Sequence, residues 1–194
     1  MSTSEFSRNS TYRLTMYGLM TAIAFVGNYL RFPFLGSQIA VSNALCVLCG
    51  MILGPWAGFI TAGLGNLLFD LIAGYGLEGL ITFASKGAIA LIAGAISSRI
   101  LHKPQLEKRD YLVLVLSAAA GAVAYIVLYM LKTYLLGITV NGMTSEGAVA
   151  KMLSKLPASS INAVFAAVAA PILISALHRP LHHLGVLGAR KAKA

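Results

Sequence analysis

Residues 111–136 read YLVLVLSAAAGAVAYIVLYMLKTYLL, and Lys132 is the only charged residue among them. About 20 consecutive apolar residues are enough for a helix to cross the hydrocarbon core of a bilayer. Within lipid, a segment must also satisfy its own backbone hydrogen bonds, and a helix does so without a partner strand. This stretch therefore predicts a transmembrane helix.

The whole chain has the composition of a membrane protein. Hydrophobic residues make up 58% of its 194 residues and charged residues 11%, against roughly 25% charged residues in an average soluble domain. A soluble fold of this size could not bury so much apolar surface. Because no linker-like segment divides the chain, we predict a single all-α transmembrane domain over residues 1–194.

Six apolar segments are candidates for membrane-crossing helices: residues 14–30, 43–53, 57–73, 79–101, 111–136 and 158–177. Gly54-Pro55-Trp56 separates the second from the third, because proline disfavours helix at the residue before it. The second segment is short for a full crossing, and its helix could instead begin within the preceding loop, residues 31–42. We predict a bundle of about six transmembrane helices.

The basic residues indicate how the bundle is oriented. Lys and Arg accumulate in the cytoplasmic loops of membrane proteins. With six spans both termini lie on one side, which holds ten of the fifteen Lys and Arg residues: Arg8, Arg13, Arg99, Lys103, Lys108, Arg109, Arg179, Arg190, Lys191 and Lys193. We therefore predict a cytoplasmic N-terminal segment (1–13), an extracellular loop (137–157) and a basic cytoplasmic tail (178–194). The basic residues form no cluster with interleaved aromatics, so nucleic acid is not an expected partner.

Polar side chains within the spans indicate a binding site. An unpaired charge in a membrane costs roughly 2.5–3.5 kcal/mol on insertion scales. Asp70 and Lys86 are two such charges, and the topology places both in the extracellular half of the bilayer. With the polar residues at the same depth, they give the predicted substrate-binding set: Asn66, Asp70, Lys86, Tyr125, Tyr129, Lys132 and Asn162. The alternative is a structural ion pair between Asp70 and Lys86, with the tyrosines in an interfacial aromatic belt.

The extracellular loop carries a pattern of its own. Apolar residues recur there at helical spacing, with two lysines beside them: Val149, Met152, Leu153 and Leu156, then Lys151 and Lys155. This spacing predicts a short amphipathic helix on the outer surface. Such a helix would be either a lid over the pocket or a connector with one apolar side.

Small residues mark places where helices can approach each other closely. The candidates for docking onto a partner protein are Gly18, Ala22, Gly50, Gly54 and Gly58. Packing within the chain is the alternative role for each of them.

The sequence offers little for metal or nucleotide chemistry. Cys46-x-x-Cys49 lies in an apolar segment and lacks the second ligand pair of a zinc site. We assign His178, His182 and His183 to the solvated basic tail, so no metal or cofactor is predicted. The sequence holds no G-x-x-x-x-G-K-[ST] phosphate loop, and the chain is therefore not expected to hydrolyse ATP.

Residues 43–94, NALCVLCGMILGPWAGFITAGLGNLLFDLIAGYGLEGLITFASKGAIALIAG, resemble the substrate-binding (S) components of energy-coupling factor (ECF) transporters, in their riboflavin-type branch. The matching features are G-x-x-x-G-P-x-x-G from Gly50 to Gly58, then Gly65 and Asp70, then a Thr-Phe-x-x-Lys-Gly run: Thr82, Phe83, Lys86 and Gly87. The similarity is clearest over this quarter of the chain.

The resemblance implies a six-helix subunit in a bacterial plasma membrane that captures a vitamin from outside. It also implies docking of the first helices onto a membrane scaffold (T) subunit, with two cytoplasmic ATPase subunits supplying the energy. The family often shows an Ala-x-x-x-Ala pair in its first helix, whereas this chain has Gly18-x-x-x-Ala22. The docking face is thus less well defined than the fold.

The residues leave the substrate open among riboflavin, cobalamin, pyridoxine and pyrimidine precursors. Two other functions are alternatives. A self-sufficient secondary transporter usually shows an internal repeat, and none is visible here. A membrane-embedded enzyme such as a lipid-headgroup transferase would need clustered carboxylates at the cytoplasmic face, where only Glu107 and Asp110 lie.

Overall fold

The computed structural model describes residues 10–34, 37–76, 78–103, 105–183 and 186–187. In this part of the chain, six helices and one two-stranded hairpin follow in order: α1 (Ser10–Val26), β1 (Arg31–Phe34), β2 (Ser37–Ala40), α2 (Ser42–Leu53), α3 (Pro55–Ile72), α4 (Glu78–Leu101), α5 (Lys108–Thr139) and α6 (Ser145–His183). The predicted all-α membrane fold with six helices is confirmed. Arg8, Arg190, Lys191 and Lys193, which entered the orientation argument, lie outside the described residues.

Helices α3 to α6 are each long and apolar enough to cross a bilayer. Their outward faces carry exposed large apolar side chains at helical spacing, such as Leu112 and Leu116 on α5 and Val164 and Val168 on α6. Water would not favour this surface, whereas acyl chains solvate it. The bundle is therefore built with lipid as its surrounding solvent.

Helix α2 is the central helix of the bundle. Its 12 residues span about 18 Å at 1.5 Å per residue, well short of a bilayer core. Ten of them are buried, because α2 packs against α1, α3, α4 and α6. Helix α2 begins at Ser42, the last residue of the predicted loop and directly after the hairpin.

Glycines allow α2, α3 and α4 to pack with their backbones in contact. A Cβ atom on Gly50 would overlap the Ala90 carbonyl, and one on Gly58 would lie 2.5 Å from the Gly50 Cα. Gly54 joins α2 to α3 with φ of 80°, a conformation that side chains disfavour. All three glycines are buried. All three take part in packing within this chain, which is the alternative role given above, and a role in partner docking stays a prediction for them.

The predicted loop before α2 contains an antiparallel hairpin. Its register pairs Arg31 with Ala40 and Pro33 with Gln38. The Ala40 amide donates a hydrogen bond of 2.8 Å to the Asn162 side-chain oxygen, which fixes β2 against α6. Pairing of the strands gives hydrogen bonds to backbone N–H and C=O groups that an irregular loop would leave without partners at the edge of the membrane.

The expected extracellular loop 137–157 is mostly helical. Helix α5 continues to Thr139 and α6 begins at Ser145, so residues 140–144 form the connection. The amphipathic stretch is therefore the first part of α6 and not a separate helix. Pro157 lies inside α6 without ending it.

The connection between α4 and α5 and the end of α6 lie at the other end of the bundle, which the sequence predicts to be cytoplasmic. Lys103 and Asp110 form an ion pair of 2.8 Å, and the hydrogen bond to Asp110 raises the pKa of Lys103. His178, expected in a solvated tail, is buried because α6 continues helically to His183. Leu187 is also buried there, so apolar packing fills this end of the bundle.

Candidate substrate-binding site

A cavity of about 350 Å³ opens at the end of the bundle away from the termini. Its walls come from the hairpin and from α2 to α6, and its volume is in the range of small-molecule sites. All seven predicted substrate-binding residues line it: Asn66, Asp70, Lys86, Tyr125, Tyr129, Lys132 and Asn162. The structure thus brings the predicted set together at one place, and their contact with a substrate stays a prediction.

Lys86 is buried deep in α4, with 8% of its surface exposed. Its ammonium group donates to the Ser42 hydroxyl at 3.2 Å and to the Asn43 side-chain oxygen. It also lies 4.8 Å from the centre of the Tyr125 ring. All these partners are neutral, so the positive charge of Lys86 is hydrogen-bonded but not neutralised.

Asp70 presents an unpaired carboxylate to the same cavity. It is also 8% exposed, and its side chain makes no hydrogen bond or ion pair with any residue that the structure describes. In particular, Asp70 and Lys86 do not form a salt bridge, which removes the structural ion pair as an explanation for the two charges. The residue is mostly buried, but it borders the open cavity, where a hydrogen-bond donor of a ligand can reach its carboxylate.

Asn66 lies one helical turn before Asp70 on α3. Its side-chain nitrogen donates to the Ala62 carbonyl at 2.8 Å and to the Cys46 sulfur at 3.3 Å. Its side-chain oxygen is buried without a hydrogen-bond partner. Together, Asn66 and Asp70 place acceptor atoms along the α3 side of the cavity.

Tyr125 and Tyr129 form the aromatic part of the cavity wall. Their rings are stacked, with centroids 5.4 Å apart and planes inclined by 23°. Lys86 lies over Tyr125, and the Lys155 ammonium lies 5.6 Å from the centre of the Tyr129 ring. The result is a column of two rings between two cations, which runs from the buried interior toward α6. Cation–π contacts of this kind stabilise by about 0.5–2 kcal/mol.

Lys132 and Asn162 connect separate elements of the fold as well as lining the cavity. Lys132 donates to the Thr82 hydroxyl at 2.9 Å and forms an ion pair of 3.6 Å with Glu78. These contacts join α5 to α4 at the mouth of the cavity. Asn162 holds the hairpin through its bond to Ala40.

The sequence interpretation did not include three polar residues that shape the site. Arg31 lines the cavity and stacks 4.1 Å over the Phe69 ring, while Ser42 and Asn43 hold Lys86. The sequence does indicate Ser42 and Asn43, because they are two adjacent polar residues at the start of an otherwise apolar segment. Arg31 is one of the few basic residues on the outer side, which is unusual where basic residues prefer the cytoplasm.

The other two docking candidates, Gly18 and Ala22, lie on α1 and do not line this cavity. Gly18 and Ala22 are exposed, and a Cβ atom on Gly18 would meet nothing within 4 Å. They form a flat strip on the outside of the bundle.

The fold and the cavity define a class of protein: a helical membrane protein with a single-ended polar binding cavity. The family model described as ECF-type riboflavin transporter, S component, matches residues 8–179. The chain belongs to this family, and it is the substrate-binding subunit of an ECF-type importer.

A solved structure supports the same fold. It is described as the S component of a bacterial ECF transporter, and it superposes with a TM-score of 0.68 at 22% sequence identity. The match covers 89% of this chain and 99% of that one. Among curated protein sequences, no match was found.

Proposed function

We propose that this subunit captures riboflavin, or a vitamin with a similar fused-ring system, in the cavity between the hairpin and α2 to α6. The observation that carries the proposal is the unpaired, buried Asp70 carboxylate in a cavity that also holds the stacked tyrosine pair. The description of the family, which names riboflavin, supports the same ligand.

The chemistry of the flavin ring suits these groups. One edge of the ring carries an imide N–H between two carbonyl groups. Asp70 and the free Asn66 oxygen can accept from the N–H, and the Lys86 ammonium can donate to a carbonyl. The flat ring can pack against the edges of the tyrosine pair, because Lys86 and Lys155 lie over the ring faces, and edge-to-face aromatic contacts add about 0.5–1.5 kcal/mol beyond area burial.

The bilayer location and the partners follow from the family. We infer that the protein resides in a bacterial plasma membrane and assembles with a membrane scaffold (T) subunit and two cytoplasmic ATPase subunits. ATP hydrolysis then takes place in those subunits, since this chain has no phosphate loop. Gly18 and Ala22 on α1 supply the docking strip, because small exposed residues allow another helix to approach closely.

The test of the ligand assignment is a titration of the purified subunit with riboflavin, followed by quenching of flavin fluorescence. The variant Asp70→Asn keeps the shape of the side chain but removes its charge, and it should weaken binding at least tenfold, about 1.4 kcal/mol. The matched control is Glu146→Gln, which makes the same chemical change at an exposed residue outside the cavity lining. Equal affinity of the Asp70→Asn variant and the wild type would rule out this arrangement.

A further inference from the structure

The cavity wall carries more positive than negative charge. Five basic side chains line it, Arg31, Lys86, Lys132, Lys151 and Lys155, and only two acidic ones, Asp70 and Glu78. Among the other acidic residues that the structure describes, Glu107, Asp110 and Glu146 do not contribute to the lining. A neutral flavin ring gives no reason for this excess of three positive charges.

The lysine side chains of the cavity that lack a hydrogen bond or ion pair among the described residues are on α6. Lys132 is already paired with Glu78, and Arg31 lies against Phe69 and donates to Asn28. The ammonium groups of Lys151 and Lys155, in contrast, make no ion pair or hydrogen bond with any residue in the described parts of the chain. The Lys155 ammonium lies over the face of the Tyr129 ring.

The spacing of these two lysines makes the arrangement unfavourable without a counter-charge. They are four residues apart on α6, so they lie one turn apart on one face, where like charges repel by a few tenths of a kcal/mol. Both are partly buried at the cavity. Glu146 is on the same helix, but it is exposed and pairs with neither.

We propose that the ligand carries an oxyanion in addition to its ring, and that Lys151 and Lys155 bind this oxyanion on the α6 side of the cavity. The proposal rests on the proposed function for the position of the ring. A lysine ammonium binds phosphate or carboxylate oxygens as a point charge, and charge-assisted bonds are about twice as strong as neutral ones. The orientation follows, because Asp70 and Asn66 on α3 would repel an anion and accept from the ring instead.

Riboflavin and its 5′-phosphate ester test this directly, because they share the ring and differ only in the phosphate. The purified subunit should bind the phosphate ester at least about tenfold more tightly at low salt. The preference should shrink as salt rises from about 50 to about 500 mM, since ions screen partly exposed charges.

The preference should depend on the two lysines. In the double variant Lys151→Gln/Lys155→Gln it should fall to about twofold or less, and Lys151→Arg/Lys155→Arg should restore most of it. The control Lys108→Gln removes an exposed lysine at the cytoplasmic end of α5 and should retain the full preference. If the glutamine variant fails to fold, the arginine variant and the salt dependence of the wild type decide the question.

Three results would overturn the inference while leaving the ring assignment intact: equal affinities for the two flavins, tighter binding of riboflavin, or an undiminished preference in a folded glutamine variant. If neither flavin binds, the proposed function itself is wrong, and the inference is overturned with it. The two failures are therefore distinguishable within one set of titrations.

Discussion

At the scale of single residues, Asp70 and Lys86 carry the most information. They stood out in the sequence because each is a charge inside an apolar segment. The structure shows that they do not neutralise each other: Lys86 is held by Ser42, Asn43 and Tyr125, and Asp70 has no side-chain partner among the described residues. We therefore expect each to be available to a ligand, and no salt bridge between the two holds the fold together.

This separation gives a prediction for Lys86→Met. The change removes a buried charge, which is favourable, but it leaves the buried Asn43 oxygen without its donor, which is unfavourable. Because the two effects oppose each other, Tm should fall by less than about 3 °C. Riboflavin affinity should drop about tenfold, because the donor to the ring is lost. Thermal unfolding in detergent and a fluorescence titration measure the two effects, with Lys108→Met as the matched control. A large loss of Tm would show that Lys86 is primarily structural.

Other residue roles could not be predicted from the sequence, because they depend on partners far away along the chain. Asn162 contacts an amide 122 residues earlier, and Lys132 contacts a hydroxyl 50 residues earlier. The sequence placed both at the depth of the cavity. Only the packed bundle shows that they also hold the hairpin and the α4–α5 edge.

At the scale of elements, the long apolar helices could be predicted and the short elements could not. Composition and length alone identify α3 to α6. The hairpin could not be predicted, because apolar and polar residues do not alternate clearly along its short strands. Strand β2 is also held in place by α6, a contact that the local sequence does not show. Helix α2 looked too short to cross the membrane because it is an interior helix. Its length is limited by its neighbours and not by the bilayer.

The glycines give an element-scale prediction that separates two faces of the bundle. Gly50→Ala forces an overlap with the Ala90 backbone, and overpacking of this kind costs about 1–3 kcal/mol. Gly18→Leu extends into open space, so it should leave folding and riboflavin binding unchanged but block assembly with the scaffold subunit by steric overlap. Tm measures the effect on folding, ligand titration the effect on riboflavin binding, and co-purification the effect on assembly with the scaffold subunit.

The opposite results would be equally clear. Wild-type yield of the complex with Gly18→Leu, and again with Ala22→Leu, would show that this strip of α1 faces lipid in the assembled importer. A Gly50→Ala variant as stable as the wild type would mean that α2 and α4 can separate at no cost.

At the scale of the whole molecule, the bundle has the form of a receptor and not of a carrier. Its halves differ: α1 to α3 have 17, 12 and 18 residues, and α4 to α6 have 24, 32 and 39. Carriers that work by alternating access are commonly built from matching repeats around a central site. Here the cavity opens at one end, and buried residues such as Leu101, His178 and Leu187 fill the other.

We therefore expect the lone subunit, reconstituted in liposomes, to bind flavin without accumulating it. Buried residues such as Leu101 and His178 pack the other end of the described bundle, and the chain has no phosphate loop with which to use ATP. Uptake against a gradient should begin only when the scaffold and both ATPase subunits are reconstituted with it and ATP is supplied inside. The Gly18→Leu variant in the same mixture is the control, since it should bind flavin yet abolish uptake. A proton gradient that drove accumulation by the lone chain would instead identify a self-sufficient secondary transporter, because no partner would then be needed to open the cytoplasmic end.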